Sequence, residues 1–313
     1  MSTTLRVGIV IPAFFYVPYW AAVKKGFYAA RGLDVQISML SGIENVTSQL
    51  KAGDIDIGIG SPEHVIHDVE RGGGLCIIGG NVNRLTHSLI VQPGINKLID
   101  LRGKKLGVAT VTAGTSSLFM GILEELGLHY PGDYEVVECG AVPPRHALLL
   151  SGGIDAGMQT DPHNYMAEDE GLTNLGPLSQ WIPDFQFTSI NVRKAWASAH
   201  AADVTQFLEA TLEGSRFMVE HKGEAVDIAE EFMKIPRRYL ERAWADHVNG
   251  AVAIDLHLNR VGLATAISLI QRDRTGSFTI AADALPEKYV VAGYLKDAQR
   301  AQGIPENILS CFS

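Results

Sequence analysis

Leu50-Lys51-Ala52-Gly53-Asp54-Ile55-Asp56-Ile57-Gly58 returns in outline as Leu149-Leu150-Ser151-Gly152-Gly153-Ile154-Asp155-Ala156-Gly157. Gly53 and Gly152, Asp56 and Asp155, and Gly58 and Gly157 each stand 99 residues apart. Each copy reads as the last turn of a helix, a glycine stop and a short apolar strand. The same offset carries Arg6-Val7-Gly8-Ile9-Val10 onto Lys105-Leu106-Gly107-Val108-Ala109, and Asp34-Val35-Gln36-Ile37 onto Asp133-Tyr134-Glu135-Val136. One strand–helix–strand–helix–strand unit is therefore used twice. Such alternation predicts an α/β chain of two similar lobes, each built on a mostly parallel sheet. Two lobes in turn predict a cleft in which a small molecule binds.

Working outward, residues 5–11 read as a buried strand. Residues 15–30 read as a helix, with Phe15, Tyr19, Trp20, Val23 and Phe27 at helical spacing. A strand over 34–40, a helix over 43–52 and a strand over 55–59 follow. Ser61-Pro62 has the N-cap and first-turn residues that start another helix. The stretch 83–100 reads as the first crossing between lobes, with Ser88-Leu89-Ile90-Val91 strand-like within it. The return crossing is placed near 187–192. Beyond residue 200 the pattern is helical, and this tail is expected to pack on the first lobe. The expected division is 1–86 plus 191–313 as lobe 1 and 87–190 as lobe 2.

The 313 residues are 46% apolar and 19% charged, an ordinary composition for buried cores. Net charge is −9 without a Lys/Arg run, which argues against nucleic acid as a partner. The three cysteines are scattered and form no CxxC, so no zinc ribbon or redox pair is expected. No stretch reaches the roughly 18 apolar residues of a membrane span. Met1-Ser2-Thr3-Thr4 leads into the first strand without the regions of an export signal, so the sequence as written reads as cytoplasmic. It reads as periplasmic if such a signal has been removed.

Ligands of open parallel sheets sit outside the carboxyl ends of the strands. In the first lobe those ends carry Phe15 and Tyr16, Ser41 and Gly42, and Ser61. In the second they carry the turn 110–117, then Arg145, then Asp161 and His163. The turn 110–117 holds five hydroxyl residues, with Thr112, Gly114, Thr115 and Ser116 at its centre. Unpartnered amides and the helix dipole favour an anion at such a helix start. One hydroxyl would suffice as a cap, so the surplus points to a ligand. Arg84 in the first crossing and Arg145 could each pair with an anion. Glu63-His64-Val65-Ile66-His67 resembles a reversed zinc motif but has no third ligand, and no metal is expected. Gly72-Gly73-Gly74 follows a helix rather than opening one, so it is a turn, and no cofactor is expected.

Taken together, Trp20-Ala21-Ala22-Val23-Lys24-Lys25-Gly26-Phe27-Tyr28, Gly32-Leu33-Asp34-Val35, the 50–58 stretch, Ile99–Val108, Gly152–Ala156 and the tail 289–298 resemble the type II periplasmic-binding-protein fold. Within it the chain is similar to the nitrate, sulfonate and taurine transport binding proteins and the NMT1/THI5-like proteins. The resemblance implies two lobes joined by two crossings that close on a small, usually anionic organic molecule. It implies ligand contacts at Tyr16, Ser41, Ser61, Thr112, Gly114, Thr115, Ser116 and Asp161, and an ABC permease as partner. The yeast-type pyrimidine synthases of the group carry a Cys-rich motif beside a His, which is missing here. A cytoplasmic lyase or decarboxylase on the same fold is the alternative reading. It would act on a small aromatic or organic acid, with His87, Asp161 and His163 to move the proton.

Overall fold

The repeat resolves into two sheets of five strands in a computed structural model that describes residues 2–111, 114–272 and 280–305. The chain divides into two units: Met1–Arg84 with Asp184–Ser313, and Leu85–Pro183. The first unit begins β1 (Thr3–Ile9), α1 (Val17–Lys24), β2 (Leu33–Met39), α2 (Ile43–Ala52), β3 (Ile57–Gly60), α3 (Pro62–Glu70) and β4 (Leu75–Val82). The second comprises β5 (His87–Val91), β6 (Lys105–Val108), α4 (Gly114–Glu125), β7 (Glu135–Glu138), α5 (Val142–Leu150), β8 (Ala156–Thr160), α6 (His163–Asp169) and β9 (Thr173–Pro177). The first unit then resumes with β10 (Thr188–Arg193), α7 (Lys194–Ala199), α8 (Ala201–Glu220), α9 (Lys222–Met233), α10 (Arg237–Asp246), α11 (Arg260–Arg272) and α12 (Gly293–Ala301).

The sheet orders are β2-β1-β3-β10-β4 and β7-β6-β8-β5-β9. In each, the fourth strand runs antiparallel to both neighbours while the β1–β2, β1–β3, β6–β7 and β6–β8 pairs are parallel. The 99-residue offset carries β3 onto β8 and α2 onto α5 at their first residues. The tail packs on the first unit, α8 against α1 and α12 against α8.

Two sequence expectations shift. The helix expected over 15–30 is α1 alone, preceded by a 3-10 turn at Phe14–Tyr16 and cut short where Gly26 takes φ +75°. The stretch 187–192, read as the return crossing, is mostly β10 and belongs to the first sheet. Ile190 and Val192 are fully buried between β3 and β4, so the chain has already returned by residue 184.

The repeated motif has a structural explanation at each conserved position. Asp56 and Arg6 bond reciprocally through Arg6 N to Oδ2 at 2.9 Å and Asp56 N to Arg6 O at 2.8 Å. Asp155 and Lys105 do the same, both at 2.8 Å. Asp56 thus ties the start of β3 to β1, and Asp155 the start of β8 to β6. Gly53 and Gly152 end their helices at φ +87° and +71°, where a side chain would be strained. A Cβ on Gly8 would stand 2.5 Å from Ile55 Cδ1, and one on Gly107 2.3 Å from Ile154 Cδ1. The repeated Gly, Ile and Asp therefore specify packing and pairing.

Gly214 marks the tightest contact of the tail. A Cβ there would lie 2.0 Å from the Pro18 carbonyl oxygen, a backbone atom that cannot turn aside. Gly214→Ala is expected to force α8 off α1 and to lower stability by about 1–3 kcal/mol, the usual cost of overpacking. Urea unfolding checks this, and an unchanged midpoint would refute it.

Candidate functional site

In the first unit, the side chains expected at the strand ends are mostly engaged within the unit. Phe14, Phe15 and Tyr16 are buried in the turn after β1. The Tyr16 hydroxyl donates to Ile59 O at 3.2 Å, joining the turn after β1 to the end of β3. Burial pushes its phenol pKa well up. Phe15 packs 4.6 Å from Tyr16 and edge-on to Phe187 at 6.0 Å, ring centre to ring centre. Ser41 is exposed at φ +48°, its N–H donating to Val10 O at 3.1 Å, and Gly42 follows at φ +114°. Ser61 sits at the N-cap of α3, but its hydroxyl meets the Glu63 carboxylate instead of capping the helix. Arg84 donates from Nη2 to Asp246 O at 3.1 Å. His64 Nδ1 meets Thr47 Oγ1 at 2.9 Å, which holds α3 to α2.

The second unit is different. Gly114 opens α4 and Thr115 follows, half-buried. Ser116 is fully buried, and its Oγ has no hydrogen-bond partner among the described residues. Ser117 donates to Val111 O at 3.3 Å, and Val111 N donates to Glu138 Oε1 at 2.7 Å. Thr112 lies outside the described residues.

Arg145, on α5, is 3% exposed. Its aliphatic stem lies over the sheet: a Cβ on Gly157 would stand 3.2 Å from its Cγ and Cδ. Nη1 reaches Gly140 O only at 3.5 Å, and Nε has no partner among the described residues. No carboxylate among them pairs with it. Burial lowers its pKa to about 10, so it keeps its charge at neutral pH. The offset places Arg145 on Val46, a buried apolar residue that covers Gly58 in the same way. One unit has a valine and the other a buried cation over the same glycine.

His87 at the start of β5, Asp161 after β8 and His146 on α5 are also buried, and His163 is half-buried. The His146 and His163 rings meet edge to face at 5.8 Å, and His146 Nε2 lies 2.9 Å from Glu170 Oε2. Burial, then Arg145, lowers His87 to about 3. Burial, then His146, lowers His163 to about 4, with Asp161 opposing. Both imidazoles are neutral in the folded chain at pH 7. The unfolded chain binds their protons near pH 6.5, so stability is full above that value. It is lost as pH falls through 6.5 towards the folded pKa values. The expected slope is about 1.4 kcal/mol per pH unit for each histidine at most, less for the more exposed His163. Urea titrations at pH 7, 6 and 5 check this. An identical slope in His87→Gln would refute the contribution of His87.

The sequence singles out Arg145, Asp161 and His163 at this end of the second unit, but not Gln159, which begins the same strand-end connection, or His146. Gln159 is fully buried, and neither its Nε2 nor its Oε1 has a partner among the described residues. The signal was present in the repeat, which places Gln159 on Gly60.

Two sheets with this strand order, each carrying one antiparallel strand, define the two-lobe type II periplasmic-binding-protein fold. Solved structures of that fold match nearly the whole chain. The nitrate-binding protein NrtA of Synechocystis superposes with a TM-score of 0.78 at 15% identity, over 99% of this chain and 92% of that one. The aliphatic sulphonate binding protein SsuA of Escherichia coli gives 0.70 at 16% identity, over 86% of each. The chain belongs to the NMT1/THI5-like family, whose model matches residues 14–225. It is also 25% identical over 171 residues to the 4-amino-5-hydroxymethyl-2-methylpyrimidine phosphate synthase of Saccharomyces cerevisiae, covering 53% of this chain and 48% of that one. No helix among the described residues is long and apolar enough to cross a membrane.

Proposed function

We propose that this chain is a substrate-binding protein of the ABC-import type and that its second unit holds the charged head of a small organic anion. The observation that carries this reading is Arg145. A guanidinium removed from water without a carboxylate is expensive, and an anion bound beside it restores the balance. Ser116 and the first turn of α4 supply further donors of the kind that receive oxyanions. Asp161 and His163, which follow β8 in the same unit, are secondary contacts. The kinship with nitrate- and sulphonate-binding structures is consistent with an anion, and an ABC permease is the partner this reading requires.

The enzyme reading is weaker for a physical reason. At pH 7 an imidazole of pKa 4 is protonated in about one molecule in a thousand, so His87 and His163 are poor proton donors there. Thermal unfolding against a panel of small carboxylates, sulfonates and phosphates tests the binding reading. A true ligand at ~100 times its Kd adds about 2.7 kcal/mol and raises the melting temperature by several degrees. If the panel yields no shift, the reading fails.

A further inference from the structure

We propose that Gln159 is a specificity-determining ligand contact, and that the second unit selects an anion bearing a neutral hydrogen-bonding group, hydroxyl or amide, beside its charged head. The inference rests on the reading of Arg145 as the anion's partner and goes beyond it to the kind of anion. A primary amide offers two donors and one acceptor. In Gln159 both ends are buried and unpartnered among the described residues. Buried polar side chains are usually satisfied, so two open ends on one residue call for a reason.

Strand alternation places Gly157 and Gln159 on one face of β8. Gly157 is the residue over which the Arg145 stem lies, so the amide and the guanidinium share that face beside α5. The repeat shows what the same space holds otherwise. At position 60 the first unit has a glycine, where a Cβ would stand 2.2 Å from Ile43 Cδ1, and at position 46 it has Val46. Two apolar or vacant positions in one unit are thus replaced by two polar side chains in the other. The first turn of α5 is poor in donors of its own, because Pro143 and Pro144 have no N–H. Two-point recognition follows, with Arg145 on the charge and Gln159 on its neutral neighbour. A site built around a hydrogen bond rejects the analogue that lacks it.

Titration calorimetry of the full chain with matched pairs tests this: lactate against propionate, isethionate against ethanesulfonate, and succinamate against butyrate. Wild type is expected to prefer the substituted member of at least one pair by about 100-fold, well within the range of hydrogen-bond discrimination. In Gln159→Leu that ratio is expected to fall to about threefold or less, with the Kd for the plain member little changed. Gln159→Gly, which copies position 60, repeats the measurement if the leucine misfolds by circular dichroism. Equal binding of both members of every pair to wild type would overturn the inference and leave the anion reading standing. A preference that survives in the folded variants would overturn it too. Failure of every member to bind wild type would remove the anion reading itself.

Discussion

Arg145→Met is expected to leave the free protein as stable as wild type or slightly more so, and to weaken anion binding by roughly thirty- to several-thousand-fold, about 2–5 kcal/mol. The two effects separate because the guanidinium has no carboxylate partner among the described residues to lose. Methionine fills the same channel over Gly157 with an apolar chain of similar length, and its sulfur adapts to irregular space. Replacing an unpaired buried charge by an apolar side chain removes a desolvation cost. The ligand, by contrast, loses the group that neutralises it. Melting temperatures with and without the best anion of the panel measure both quantities together. A large drop in the unliganded melting temperature, with the ligand-induced shift intact, would show that Arg145 is structural and would sink the assignment.

Asp56→Ala is expected to destabilise by about 2–3 kcal/mol, the range for lost hydrogen bonds to a buried carboxylate, because the half-exposed Arg6 guanidinium is taken up by water once it is freed. Asp155→Ala is expected to cost only about 1–2 kcal/mol, the range for a lost hydrogen bond. Both aspartates receive the backbone N–H of the strand beside them. Asp56 is 4% exposed and also binds the Arg6 guanidinium, through Oδ1 to Nη2 at 2.7 Å and Oδ2 to Nε at 3.0 Å, with Arg193 Nη2 at 3.8 Å. Asp155 has Lys105 in place of Arg6 and bonds only its backbone. Urea midpoints of the two variants, each at the same slope, measure the difference. Equal losses would show that the Arg6 pair contributes little and that the shared backbone bond is the whole effect.

Much of this architecture was legible because the repeat is a local pattern reused. Gly53, Ile55 and Asp56 can be read as helix stop, glycine cover and strand tie once their counterparts at 152, 154 and 155 are seen. The place of β10 was not legible in that way. Pairing between β3, β10 and β4 joins residues more than a hundred positions apart, and alternation along one strand does not say which neighbours it will find. Phe15 and Tyr16 are ambiguous in the sequence, because aromatics at a strand end can either meet a ligand or pack inward. The Tyr16 hydroxyl, donating to Ile59, shows that much of that aromatic surface is spent on packing. The polar half was under-read for the opposite reason. An arginine at a helix start usually faces water, so burial of Arg145 is visible only through its equivalence with Val46. Differences between the copies therefore carry more about the site than the identities do.

The placement of β10 has a consequence for biosynthesis. As the polypeptide leaves the ribosome, the second unit is the first to possess every strand of its sheet, since all of it lies between residues 85 and 183. The first unit has by then been outside longer, yet β4 has no neighbouring strand until residues 188–193 emerge, and its eight residues are all buried in the finished fold. The nascent chain thus carries an open apolar edge throughout the synthesis of the inserted unit. A translational pause before residue 188 would prolong the exposure of Leu75–Val82.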